Sequence, residues 1–159
     1  MKLIKADKDQ FVFHVGKREK RLLFEILKLY PLIPAAYQRC SKSAGDAAEK
    51  ASQQLLKEAL AAQRRENKKQ VLAMLNEPER FQETESGFRL TLSSPRMEWL
   101  LQVLNDIRVG SWIGLGSPDT EKGEEIPLTA ESAPHLWVME AAGHFEMSLL
   151  GAMSGRRRG

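Results

Sequence analysis

Between Asp46 and Asn76 the chain places Ala47, Ala51, Leu55, Leu56, Ala59 and Leu60, and later Val71, Leu72 and Leu75, in helical phase with no glycine or proline between them. The middle of this segment is different. From Gln63 to Gln70 every residue is polar, so either two helices meet there or one long helix crosses solvent. Whatever this chain folds into must accommodate that segment, and Glu77-Pro78 closes it.

The remaining segments are shorter. Residues 2–6 and 10–15 are β-leaning runs separated by Asp7-Lys8-Asp9, and the second, with Phe11-Val12-Phe13-His14-Val15, predicts a hairpin that ends at Gly16. Lys17 to Tyr30 spaces Leu22, Leu23, Ile26, Leu27 and Tyr30 by three and four, a helix docked on a core and ended by Pro31 and Pro34. Gly87 to Leu92 alternates Phe88, Leu90 and Leu92 with Arg89 and Thr91, a half-buried strand able to join the hairpin as a third antiparallel strand. Ser94-Pro95 predicts a helix start with Ser94 as N-cap, carrying Met97, Leu100, Leu101, Leu104 and Ile107. Gly110, Gly114 and Gly116 then either end that helix near Trp112 or let it pack closely on a neighbour. Residues 117–131 read as an acid-rich loop, and a last helix from Ser132 or Ala133 runs through Leu136, Trp137, Met139, Ala142, Phe145 and Leu149. Together these segments predict an α+β fold, mainly helical: a small antiparallel sheet of about three strands on four or five helices, one globular domain over 1–153 with a basic tail at 154–159.

Composition narrows the classes. With 42% hydrophobic and 28% charged residues the chain has the balance of a globular domain. The single cysteine, Cys40, forms no bridge within the chain and has no histidine nearby in sequence to activate it. Charge where a secretory signal would have its apolar core, and uncharged runs no longer than ten residues, point to a cytoplasmic protein without a membrane span. The net charge of +3 is unevenly spread: residues 1–44 carry +6, residues 45–84 none and residues 85–159 −3. Lys17, Arg18, Lys20 and Arg21 crowd the first turns of a helix, where the dipole disfavours cations, so an anion compensates. A nucleic acid is one such anion, with Arg156 to Arg158 extending the footprint, and the chain's own acidic loop is another.

No metal-ligand cluster, phosphate loop or catalytic signature stands out, which points to a protein that is not an enzyme and needs no cofactor. Glu140 and His144 share a helix face, with His135 on a different azimuth; the plain reading is a surface ion pair, because a catalytic zinc takes three protein ligands. Ser148 lies four residues beyond His144 without an oxyanion loop. The most pointed polar cluster is Asn105-Asp106-Ile107-Arg108, set between Leu104 and Trp112. At a spacing of two on a helix Asp106 and Arg108 do not face each other, so each finds its partner elsewhere or points to water. Asn105, Asp106, Arg108 and Trp112 are therefore the candidate partner-binding residues.

Three stretches taken together carry a resemblance: Phe13-His14-Val15-Gly16 with the Leu-rich helix to Leu29, the run Trp99-Leu100-Leu101-Gln102-Val103-Leu104-Asn105-Asp106-Ile107-Arg108, and the final Leu136-Trp137-Val138 helix. The chain resembles an uncharacterised bacterial family, the domain-of-unknown-function family number twenty-seventeen. Leu-Asn-Asp-Ile-Arg carries most of the likeness, while Val109-Gly110-Ser111-Trp112 departs from the family's usual apolar residue, Gly-Thr and Arg. The resemblance implies no activity, substrate or cofactor. It implies a small regulatory or adaptor protein, transcription-related in some members of the family, and marks Asn105, Asp106 and Arg108. The expectation is thus a non-enzymatic regulator that binds another protein, the alternative a nucleic-acid binder using the basic helix, with a homo-oligomer also open.

Overall fold

A computed structural model of the protein describes residues 1–33 and 47–156. Cys40, Pro34 and the last two arginines of the tail lie outside the described residues. Among those described, the order is β1 (Lys2–Ala6), β2 (Gln10–Val15), α1 (Lys17–Lys28), α2 (Ala47–Asn76), β3 (Phe81–Thr84), β4 (Gly87–Ser93), α3 (Ser94–Gly114) and α4 (Ser132–Arg156). The fold is α+β and mainly helical, with four strands where the sequence predicts about three.

The sheet is antiparallel throughout, in the order β1-β2-β4-β3. Alternation sets its register. Phe11, Phe13 and Val15 of β2 stand opposite Leu92, Leu90 and Phe88 of β4, so the apolar side chains of both central strands fall on one face and are covered by helices. The unexpected strand, β3, has one large apolar residue, Phe81, which pairs opposite Leu90 and is buried.

On that face lie Leu23, Ile26 and Leu27 of α1 with Tyr30 just beyond its end, Met97, Leu100, Val103, Leu104 and Ile107 of α3, and Ala142, Phe145 and Leu149 of α4. Burying each large side chain of this set removes ~1.5–3 kcal/mol of unfavourable exposure. The N-cap of α3 is Ser93, whose hydroxyl accepts from the Arg96 N–H at 3.4 Å; Ser94 occupies the first helical position rather than the cap, because the chain leaves its extended conformation one residue earlier than predicted. The helix runs on to Gly114, and it also packs through its glycines. A Cβ on Gly110 would lie 2.5 Å from Leu32 Cβ, and one on Gly114 would overlap the His135 ring. Thr129 and Ser132 cap α4 reciprocally, with the Ser132 N–H donating to Thr129 Oγ1 at 3.1 Å and the Thr129 N–H to Ser132 Oγ at 2.9 Å. That helix continues through Arg156, so Ser154 to Arg156 are helical and not frayed as the basic tail was expected to be.

The long segment resolves as one helix. α2 spans thirty residues, about 45 Å, and only Asn67, Val71 and Met74 of it are buried. Among the described residues no helix is long and apolar enough to cross a membrane.

Candidate functional site

α3 is the element that carries the polar cluster, and it sends its charged residues in different directions. Asp106 turns toward α1 and α2. Its Oδ2 accepts from the Tyr30 hydroxyl at 3.4 Å, the Asn67 amide donates to that hydroxyl at 3.2 Å, and Gln63 donates to Asn67 Oδ1 at 3.1 Å. Lys68 joins from the next position of α2, its ammonium donating at 2.5 Å to the Tyr30 carbonyl beyond the end of α1. Burial pushes the Asp106 carboxyl above its ordinary value, against the pull of the Arg64 charge and the Tyr30 hydrogen bond. Burial likewise raises the Tyr30 phenol, opposed by the Asn67 hydrogen bond and reinforced by the Asp106 charge. These groups fasten the C-terminal half of α2 to the body through a polar chain.

Arg108 turns to α4. Its guanidinium holds the Glu146 carboxylate at 2.5 Å, with Glu146 almost fully buried and Arg108 partly exposed. Asp106 and Arg108 thus find separate intramolecular partners, as their spacing requires. Asn105, Arg108 and Trp112 follow each other by three and four and share the outer face of α3, all exposed, with the Trp112 indole N–H donating to the Pro118 carbonyl at 3.2 Å. The structure therefore groups three of the four candidate partner-binding residues and sets Asp106 apart.

Between α3 and α4 lies an open groove of about 420 Å³, lined by Arg108, Glu146, His144, Met139, Met147 and Leu150. Met147 is 77% exposed and Leu150 51%, an apolar rim beside the ion pair. Gly143 sits at the floor, where a Cβ would come within 3.7 Å of the Arg108 guanidinium. Glu140 lines the same groove, but the carboxylate found within 4 Å of the His144 imidazole is that of Glu19, at 3.6 Å. That carboxylate also receives the Met1 ammonium and the Gly16 N–H, the latter at 2.8 Å; burial alone would raise its pKa, and these partners hold it below the usual range. Ser148 donates to the His144 carbonyl at 3.1 Å, so it makes no hydrogen bond with the imidazole. No group of three metal-ligating side chains occurs among the described residues.

The basic candidates divide differently. Lys17, Lys20 and Arg21 line a second open groove, about 660 Å³, with Lys28, Phe24 and Phe88 and the acids Glu25 and Glu83. Arg18, one residue off that azimuth, is exposed elsewhere on α1. Lys20 is held over three rings, 3.8 Å from the centroid of Phe88, 5.2 Å from Phe81 and 5.5 Å from Phe24. Of these cations the rings hold Lys20, while the Glu19 carboxylate in the same turn is engaged by the Met1 ammonium and the Gly16 N–H. Within the acidic loop Lys122 pairs with Asp119 at 2.9 Å and the Asp119 N–H donates to Glu124 at 2.7 Å.

Sequence reasoning missed Tyr30, Asn67, Glu146 and Lys28. Asn67 carried a readable signal, since it precedes Val71 and Met74 by four and seven and so lies on their face. Glu146 sits between Phe145 and Leu149, which placed it equally close to the core. The chain matches no protein-family model, no curated protein and no solved structure.

Proposed function

We propose that the protein is a non-enzymatic regulatory or adaptor domain that binds another protein across the α3–α4 groove. The observation that carries this reading is the pairing of exposed apolar side chains, Met147 and Leu150, with a charged floor of Arg108 and Glu146. Methionine adapts its shape to a partner at low conformational cost, and the half-exposed guanidinium fixes orientation through a charge-assisted bond. Trp112 extends the same face along α3, and tryptophan and arginine are the residue types that anchor protein interfaces. The resemblance of Leu104 to Arg108 to a family with regulatory associations points the same way.

The test is affinity capture from the native host's lysate with nuclease treatment in parallel. The Met147→Glu, Leu150→Glu double variant changes two exposed positions, so circular dichroism stays that of the wild type. A protein retained by the wild type after nuclease and lost by the variant supports the reading. Equal retention by both sinks this surface.

A second reading has its own observation in the convergence of Lys17, Lys20, Arg21 and Lys28 on one groove. Four cations against two acids suit a phosphate backbone. The Phe88 face is already covered by Lys20, so base stacking is not offered there. Binding of a labelled duplex that weakens steeply with salt, and weakens further in Arg21→Glu, supports this reading; no shift at low salt removes it.

A further inference from the structure

The helices cover one face of the sheet; the alternate positions of its strands form the other. Across that second face the register sets Lys2 of β1 opposite His14 of β2, His14 opposite Arg89 of β4, and Arg89 opposite Gln82 of β3. Three basic side chains thus stand side by side on adjacent strands, with neighbouring Cβ atoms ~5 Å apart. Like charges directly opposite each other destabilise a sheet, and the strand positions of this face hold no acid to relieve them. Lys5, on the same face, does have a carboxylate, that of Asp7 at 2.8 Å. Lys2, His14 and Arg89 form no ion pair with any described residue. The fold carries a cost here that an anion laid on the row would offset.

The surroundings of the row indicate the size of that anion. Lys2, His14 and Ser86 line an open cavity of about 420 Å³ whose other walls are Leu3 and Ile4, with Arg89 across His14 from it. Ile4 is the unpaired residue at the irregularity of β1 and is 57% exposed, so the cavity has an apolar side. Gly87 leaves the imidazole its place, because a Cβ there would lie 3.1 Å from His14 Cε1.

We propose that this row binds a small phosphate monoester, its phosphoryl oxygens on Lys2, His14 and Arg89 and its carbon skeleton against Leu3 and Ile4. Lys2 and Arg89 flank His14 on flexible stems, so both charged ends reach a group seated over the imidazole. The three oxygens and double charge of a phosphoryl group match an ammonium, an imidazole and a guanidinium at neighbouring positions, where a carboxylate offers two oxygens and one charge. The cavity is of the size that holds a metabolite. A nucleic-acid strand is the poorer occupant, because the face has no Phe, Tyr or Trp on which bases stack and the row ends at the uncharged Gln82. The proposal is independent of the α3–α4 groove and of the groove on α1.

Amide NMR spectra of the full chain, titrated at constant ionic strength with phenyl phosphate, inorganic phosphate and benzoate, test it. Phenyl phosphate shifts the amides of Lys2, Ile4, His14, Ser86 and Arg89 saturably, with a Kd of about 1 mM, as a few solvent-exposed charge pairs allow. Inorganic phosphate moves the same amides at higher concentration, and benzoate leaves them in place. Lys2→Gln and Arg89→Gln, both at exposed positions, each weaken binding about two- to fivefold, and neither melts below the wild type. Arg21→Gln, on α1, keeps the wild-type affinity. No saturable shift up to about 20 mM phenyl phosphate, an equal response to benzoate, or undiminished binding by both Lys2→Gln and Arg89→Gln overturns the proposal. A single-stranded oligonucleotide of about ten nucleotides that shifts these amides at lower concentration than phenyl phosphate assigns the face to nucleic acid and overturns it as well.

Discussion

From Asn67 to Asn76, α2 buries Asn67, Val71 and Met74 and is bonded to Tyr30, just beyond α1, through Asn67 and Lys68; from Ala47 to Ala62 no residue of the same helix is fully buried. The backbone is continuous across both halves, but different forces hold them. The anchored half contains asparagine and valine, mediocre helix formers, and owes its conformation to packing and to the Tyr30 polar chain. The projecting half is, apart from Ser52, alanine, glutamine, leucine, lysine and glutamate, strong helix formers, with the Gln54–Glu58 hydrogen bond at 2.8 Å along its surface. The lesson is that helical propensity extends an element beyond its core once packing has nucleated it.

Four measurements sharpen or break that contrast. Met74→Ala deletes a fully buried side chain and costs about 2–5 kcal/mol in urea unfolding; a cost under about 0.5 kcal/mol would erase the distinction between the halves. Asn67→Ala removes the donor to the Tyr30 hydroxyl and leaves Gln63 unpaired, for a loss of about 1–3 kcal/mol. Glycine placed in each half separates local from global stability: Ala73→Gly costs about 1 kcal/mol of unfolding free energy and so lowers the midpoint, whereas Gln54→Gly reduces the circular-dichroism helicity and leaves the midpoint alone. A midpoint shift from Gln54→Gly would mean that the projecting half folds with the core.

The smallest effect is in pH. The folded protein binds the Asp106 proton more tightly than the unfolded chain does, because burial raises its pKa from an unfolded value of about 3.9. The contribution of this residue to stability is therefore greatest at acid pH and is lost as pH rises through the raised folded pKa. Asp106→Asn removes that slope, so the wild type minus variant difference falls with rising pH across this window; a difference that grows instead would contradict the burial of the carboxyl.

Much of the architecture is legible in residue spacing. The alternation at Phe11 to Val15 and Phe88 to Leu92 specifies two paired strands and the face they bury, because side chains of a strand alternate by geometry alone. β3 is not legible: Phe-Gln-Glu-Thr has one apolar residue, and its strand conformation comes from pairing with β4 across a tight turn. In the candidate site the mutual avoidance of Asp106 and Arg108 follows from helical geometry. Their partners do not, since Tyr30 and Glu146 lie 76 and 38 positions away in the chain. Local periodicity places a side chain on a face; only the packing of whole elements decides what stands opposite. The same limit explains why Arg18 was grouped with its neighbours and Lys28 was not.

The sheet order has a consequence for solubility. Among the described residues β1 and β3 are the edge strands of the sheet. β1 carries Lys2 and Lys5 and an irregularity in register between Leu3 and Lys5, and β3 is four residues long with Glu83 in it. Charge, an irregular register and brevity are devices by which sheets resist stacking edge to edge into fibrils, and both borders of this sheet carry them.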